Sequence, residues 1–124
     1  MTERAKLEQM SVDDLVDGFA AIYIDQDRAL LYSDIRKFNR LYDRMVAIRE
    51  ELKRRPGDQR KALVRLYDHP NVQVQLQAAR ISLAVEPAAA RLLIEKIAGS
   101  RKYPQAGDAG ITLINLDRGI FKPV

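Results

Sequence analysis

The stretch "HPNVQVQLQAARISLAVEP", residues 69–87, decides the fold class because it fits two different periodicities. Its first half alternates apolar and polar residues, as a half-buried strand does. The alternation stops at Ala78 and Ala79, and alanine is uncommon in strands. A helical period accounts for the whole stretch, because two apolar rows recur at spacings of three and four. These rows are Val74, Ala78, Ile81 and Val85, and, on the opposite side, Val72, Leu76, Ala79 and Leu83.

The residues that flank this stretch also favour a helix. Asn71 is a favourable N-cap residue, and Pro87 prevents a helix from continuing much further. We therefore predict a helix over 72–85. Because a helix with apolar residues on two opposite faces must be covered on both, we expect this helix to lie between neighbouring elements.

The rest of the chain shows the same spacing, and no segment requires a strand. Tyrosines at core spacing are expected to be buried, among them Tyr42, and so is Leu92. The first predicted helix begins at Ser11 and ends at a turn near 26–34, and the second covers 34–55 with Ser33 or Asp34 as its cap. A short helix follows Asp58, and the remaining helices cover 72–85, Pro87 to Gly99, and 109–118. After the last helix, Gly119 lets Ile120 and Phe121 fold back.

These six helices predict an all-α chain that forms a single domain over 1–124. A helical hairpin cannot bury its own apolar face, so about three hairpins must stack into an α–α superhelix. The predicted parts are a long N-terminal hairpin over 11–55, a second hairpin over 58–85, a third over 87–119 and a C-terminal tail over 120–124.

Composition excludes several classes of protein. The chain has 124 residues, a formal net charge of +4 and no cysteine, which excludes disulfides, thiolate catalysis and zinc sites with cysteine ligands. The first ten residues carry charges where a secretion signal would be apolar. No apolar run approaches the roughly 18 residues of a membrane span. We therefore expect a cytoplasmic protein with no membrane partner.

Residues 63–84, "LVRLYDHPNVQVQLQAARISLA", resemble a HEAT or armadillo-type repeat. In such repeats a leucine-rich first helix ends in Asp and Pro, and a second helix follows. Gln75 stands where these repeats usually have arginine, and 87–119 resembles a degenerate second copy. The positions in the second helix that match the repeat are Val74, Ala78, Ala79 and Leu83.

Most of the chain also resembles a family of short, uncharacterised bacterial proteins, described as a domain of unknown function. The segments that carry this resemblance are "RRPGDQRKAL", "HPNVQVQLQAA", "GDAGITL" and "GIFKP". The resemblance implies an armadillo-type helical fold and a bacterial origin, and it assigns no activity.

No motif for catalysis is present in the sequence. It lacks a glycine-rich phosphate loop, a metal-binding His-Glu helix and a nucleophile elbow. His69 is the single histidine, and the sequence supplies no nucleophile or orienting group for it. The carboxylates at 13–17 and 25–27 lack the spacing of a calcium loop. We therefore expect a non-enzymatic protein with no cofactor and no bound metal.

The first functional hypothesis is a protein-interaction module. Stacked hairpins present a groove lined by their second helices, and this groove is where such proteins bind partners. The partner would be another protein, and the sequence leaves its identity and the oligomeric state open. The candidate contacts are Gln73, Gln77 and Arg80 on the fourth helix, with Tyr103 and Asp108 from the loop beside it.

The alternative hypothesis is nucleic-acid binding through the basic cluster at 53–65. Basic residues crowd around the Pro56–Gly57 turn and would attract phosphates, with Asp58 as the carboxylate among them. The outward face of the second helix carries both signs of charge, which weakens this hypothesis. The residues of the basic cluster are Lys53, Arg54, Arg55, Arg60, Lys61 and Arg65.

Overall fold

The computed structural model describes residues 2–124, and over that range it contains helices and no strand. The prediction of an all-α chain is confirmed. The elements are α1 (Glu3–Glu8), α2 (Val12–Leu31), α3 (Ile35–Arg54), a 3₁₀ helix (Gln59–Leu66), α4 (Val72–Ser82), α5 (Pro87–Ala98) and α6 (Gln105–Asp117).

The chain divides into two compact units. The first ends at Ala62, and the second extends from Leu63 to Val124. The boundary falls inside the 3₁₀ helix and therefore inside the hairpin predicted over 58–85. The predicted single domain, with its hairpins at 11–55, 58–85 and 87–119, stays a prediction.

In the first unit, α2 and α3 pack against each other as a hairpin. Gly18 faces α3 in this hairpin, and a Cβ there would lie 3.4 Å from the Ile48 Cδ1 atom, an ordinary van der Waals distance. Phe19 and Tyr23 stack edge to face inside α2's buried stripe, with ring centroids 5.1 Å apart. The buried apolar residues of α3 recur at spacings of three and four, at Leu41, Met45, Ile48 and Leu52.

The predicted helix starts of this unit are found in the structure. The Ser11 hydroxyl accepts a hydrogen bond from the Asp14 N–H at 3.0 Å. Asp34 caps α3 by accepting from the Lys37 N–H at 3.1 Å. The turn between α2 and α3 occupies 32–34, within the predicted range. The short α1 was not predicted, because a helix of six residues with one buried side chain, Leu7, has no detectable period.

In the second unit, α4 is buried along both of its apolar rows. Asn71 caps it by accepting from the Gln73 N–H at 2.9 Å and the Val74 N–H at 3.2 Å. Val74 and Ala78 are fully buried on one side. The helix ends at Ser82, three residues before the predicted end. The other row packs with α5 and α6 in a core made of Leu76, Ala79, Leu83, Ala90, Ile94, Ile97 and Ala109.

The short third helix is found after Asp58, as a 3₁₀ helix. Some finer predictions were wrong. Tyr42 is more than half exposed because it lies just outside the buried arc of α3. Leu92 is 70% exposed because it lies on the face of α5 opposite to the buried Ala90, Ile94 and Ile97. Gly119 takes a left-handed φ of 70° and turns the chain back, but Phe121 alone packs on the core and Ile120 stays exposed.

Substitution of Leu76 tests the burial of α4. Leu76 is fully buried, so Leu76→Ala should lower the free energy of unfolding by about 2–5 kcal/mol through lost burial and a residual cavity. Gln77, the next residue and half-buried, is the matched control, and Gln77→Ala should change stability by about 0.5 kcal/mol or less. Urea unfolding followed by circular dichroism measures both. Equal effects of the two substitutions would contradict the placement of α4.

Candidate functional site

A pocket of about 280 Å³ lies between α4 and α6 in the second unit. Arg80 of α4 and Asp108 of α6, two of the five residues predicted to bind a partner, both line it. Among residues 2–124, neither side chain makes an ion pair or a side-chain hydrogen bond. The structure therefore brings a guanidinium and a carboxylate to one pocket and leaves both available. We call it the α4–α6 pocket.

One face of α6 supplies most of the lining. Asp108, Ile111, Thr112 and Asn115 are spaced at three, four and seven residues, which places them on the same side of a helix. Asp108 was predicted in a loop, but it lies in the first turn of α6, which begins at Gln105. Glycines at 107 and 110 made this segment resemble a loop. Burial of Ala106 and Ala109 outweighs the low helix propensity of these glycines.

The C-terminal tail closes one end of the α4–α6 pocket. The Asn115 carbonyl accepts hydrogen bonds from the Ile120 N–H at 2.9 Å and from the Phe121 N–H at 3.1 Å. These bonds bring the Phe121 ring to the pocket, where it is part of the lining. The pocket therefore has an apolar side, formed by Phe121 and the exposed Ile111, beside its charged groups.

The other predicted contact residues are placed differently. Gln73 accepts a hydrogen bond through Oε1 from the Gln105 Nε2 at 3.2 Å, so it links α4 to the start of α6. Gln77 is half-buried on α4. Tyr103 is exposed, and its Cδ1 atom lies 4.0 Å from the position that a Cβ would take at Gly107. None of these three residues lines the α4–α6 pocket.

In the basic cluster, two of the six cations are tied to one buried carboxylate. Arg54 Nη2 lies 3.0 Å from Glu51 Oε1, and Arg55 Nε lies 2.6 Å from Glu51 Oε2. Arg55 Nη2 also donates to the carbonyls of Leu7 at 3.0 Å and Met10 at 2.8 Å. Arg55 thus fastens the end of α1 to α3, which is a structural role.

A third cation of the basic cluster is also engaged. Arg60 is buried and holds Asp58 through two hydrogen bonds, of 2.9 Å from Nε and 2.6 Å from Nη2. Lys53, Lys61 and Arg65 are exposed, and Arg65 belongs to the second unit. The density of basic residues in the sequence therefore overstates the positive charge that this region offers to a ligand.

These contacts lower the pKa of both carboxyl groups. Burial alone would raise the pKa of Glu51, but the hydrogen bonds from Arg55 and Arg54 outweigh it and bring the pKa below its ordinary value of 4.5. The hydrogen bonds from Arg60 likewise hold the pKa of Asp58 below its ordinary value. Both carboxylates therefore stay charged at neutral pH and keep their guanidinium partners in place.

No group of three or more His, Cys, Asp or Glu side chains that could hold a metal ion occurs within residues 2–124. In the same range, no helix combines the length and apolar character needed to cross a bilayer.

Comparison with known proteins places the chain in a family. A family described as "Domain of unknown function (DUF2019)" matches residues 13–117. The chain belongs to this family. The chain is similar to the protein RPA1889 from Rhodopseudomonas palustris CGA009, for which a crystal structure has been solved, with 52% sequence identity. The two structures superpose with a TM-score of 0.90, and the match covers 95% of this chain and 98% of the RPA1889 chain. A search of curated proteins finds no match. The expected membership of an uncharacterised domain family is confirmed.

Sequence reasoning missed four residues of the α4–α6 pocket in this DUF2019 chain: Ile111, Thr112, Asn115 and Phe121. Their spacing from Asp108 was available, but it carries meaning only once Asp108 is assigned to the helix. Phe121 was expected to fold back, but local sequence could not identify the Asn115 carbonyl as the acceptor of its N–H hydrogen bond.

Glu51→Gln tests the pairing of Glu51 with Arg54 and Arg55. We expect a loss of about 1.5 kcal/mol in the free energy of unfolding at neutral pH, at the low end for hydrogen bonds to charged groups because Arg54 is 41% exposed. Because the folded pKa of Glu51 is lowered, its contribution is complete above pH 4.5 and is lost as pH falls through the folded pKa. The difference between wild type and variant should therefore shrink in acid.

Denaturant titrations at a series of pH values measure this difference. Glu50→Gln is the matched control, since among residues 2–124 Glu50 bonds only its neighbour Arg49, at 3.2 Å, and its side chain is partly exposed. A Glu51→Gln deficit that does not change between pH 7 and strong acid would show that the ion pairs do not supply the stability.

Proposed function

We propose that this protein is a non-enzymatic protein-interaction module that binds a segment of a partner protein in the α4–α6 pocket. The observation that carries the proposal is the presence of Arg80 and Asp108 in one pocket, with neither charge paired inside residues 2–124. An unpaired charge of each sign beside apolar side chains suits a complementary protein surface.

The proposal includes a HEAT-like or armadillo-type arrangement of the hairpins. In such repeats the second helices line the binding surface. The helices α4 and α6 are the second helices of the second and third predicted hairpins, and the pocket lies between them. A bacterial, cytoplasmic setting is also part of the proposal, on the resemblance to bacterial proteins and the lack of cysteine.

Size favours a side chain of a larger partner over a free small molecule. Pockets for small molecules generally enclose about 300–1,000 Å³. The α4–α6 pocket, at about 280 Å³, lies just below that range and is open to the surface. It would accept one or two side chains of a partner, with a carboxylate of the partner bound to Arg80 and an apolar group against Ile111 and Phe121.

Selection from a random peptide library displayed on phage tests the proposal without a known partner. The immobilised wild-type chain should enrich peptides that combine an acidic and an apolar residue. Arg80→Glu should weaken binding of a selected peptide by about tenfold or more, since a hydrogen bond between charged groups contributes about 1.5–3 kcal/mol. Fluorescence anisotropy of the labelled peptide measures the dissociation constant.

Lys96→Glu provides the matched control for this experiment, because Lys96 is an exposed cation on α5 that does not line the pocket. It should leave peptide binding unchanged. A selected peptide that binds the Arg80→Glu variant as tightly as wild type, or a selection that enriches nothing, would reject the pocket as the binding site.

Nucleic-acid binding, the alternative, would rest on Lys53 and Lys61, because Arg54, Arg55 and Arg60 of the basic cluster hold carboxylates. We expect wild type and the double charge reversal of these two exposed lysines to bind duplex DNA equally weakly at low salt. Anisotropy titrations at several salt concentrations measure this. A wild-type affinity that falls steeply with salt and disappears in the double variant would favour the alternative.

A further inference from the structure

The end of the α2–α3 hairpin exposes four large apolar side chains within six residues of the chain. Leu31 is 76% exposed and Tyr32 79%, and both Leu30 and Ile35 are more than half exposed. Single exposed apolar residues are ordinary on protein surfaces, whereas a contiguous patch marks an interaction surface. We call these four residues the apolar tip.

The turn itself is complete without burial of these side chains. Ser33 is in the left-handed region, with a φ of 55°. The Asp34 N–H donates to the Ala29 carbonyl at 2.8 Å and the Ser33 N–H to the Leu30 carbonyl at 3.1 Å, which is the Schellman arrangement at the end of a helix. The backbone therefore holds the apolar tip in a defined conformation, and the fold gives no reason for four apolar residues there.

Exposed cations border the apolar tip. Within residues 27–40 the carboxylates are those of Asp27 and Asp34, and the Asp34 carboxylate caps α3. None of the bordering cations forms an ion pair with any residue in the range 2–124. These cations are Arg28, Arg36, Lys37 and Arg40.

We infer that the apolar tip and its cations bind the surface of an anionic lipid bilayer. Leucine side chains partition into the boundary between headgroups and acyl chains, and a tyrosine ring is favourable at the headgroup level. Unpaired Lys and Arg side chains gain by approaching lipid phosphates. The expectation of no membrane partner rested on the lack of a spanning segment, and binding at the surface requires none.

Charge and apolar character together favour a bilayer over the other occupants. A nucleic acid would satisfy the cations, but it offers nothing to Leu30 and Leu31, which neither hydrogen-bond nor stack. A second copy docked tip to tip would bring two sets of unpaired cations together. An anionic bilayer supplies negatively charged headgroups for the cations and an apolar layer beneath them for the apolar tip.

Vesicle co-sedimentation of the full chain tests the inference. Vesicles of phosphatidylcholine mixed with phosphatidylglycerol should bind wild type, and vesicles of phosphatidylcholine alone should bind much less. Lys37→Glu with Arg40→Glu should weaken binding at least about 25-fold, since each cation near an anionic surface contributes about fivefold. Leu31→Ser should weaken it at least about tenfold through lost insertion of apolar surface.

Two substitutions on α5 are the matched controls. Leu92 is 70% exposed, so Leu92→Ser removes a comparable leucine outside the apolar tip, and Lys96→Glu reverses an exposed cation on the same helix. Both should leave vesicle binding unchanged. No binding by wild type, or equal losses in tip and α5 variants, would overturn the inference. A wild-type dimer that Leu31→Ser makes monomeric, without vesicle binding, would assign the apolar tip to a second copy instead.

A fluorescence measurement locates the contact. The chain has no tryptophan, so Tyr32→Trp introduces a single reporter at the apolar tip. Its emission should shift to shorter wavelength with phosphatidylglycerol vesicles, while Leu92→Trp should show no shift. An unshifted Tyr32→Trp variant that still sediments with vesicles would show that another surface binds the lipid.

Discussion

Burial of α4 along both of its apolar rows is the constraint on which the second unit depends. Val74, Leu76, Ala78 and Ala79 have no solvent exposure, and polar groups at the buried end of the helix are satisfied. The Ser82 hydroxyl donates to the Ala78 carbonyl at 2.7 Å, so the Tyr67 hydroxyl, 2.6 Å away, donates to Ser82. An inner helix is stable only when its apolar rows are covered and its few polar groups have partners.

The sequence predicts the helices well because their determinants are local. Caps at Ser11, Asp34 and Asn71 and the proline at 87 act through neighbouring residues, and apolar spacing identifies the buried faces. The start of α6 could not be predicted, because burial of its alanines against other helices outweighs its glycines. The α4–α6 pocket could be predicted only in part, because its lining depends on Asp108 being helical and on the C-terminal tail bonding the Asn115 carbonyl.

Pairing distinguishes structural charges from available ones. The basic cluster at 53–65 is the densest in the sequence, but Arg54, Arg55 and Arg60 each bond a carboxylate there. Arg80 and the cations beside the apolar tip are sparser in sequence and have no such partner in the range 2–124. Linear charge density therefore indicates poorly where this chain can meet a charged ligand. The decisive property is which carboxylates lie within reach after folding.

The single face of α6 that lines the pocket limits how the chain can change in length. One residue inserted between Asp108 and Asn115 would rotate everything beyond it by about 100° around the helix axis. Asn115 would then no longer lie on the same face as Asp108, and the Asn115 carbonyl that accepts the Phe121 N–H would move with it. The pocket therefore requires a fixed number of residues between Asp108 and Asn115.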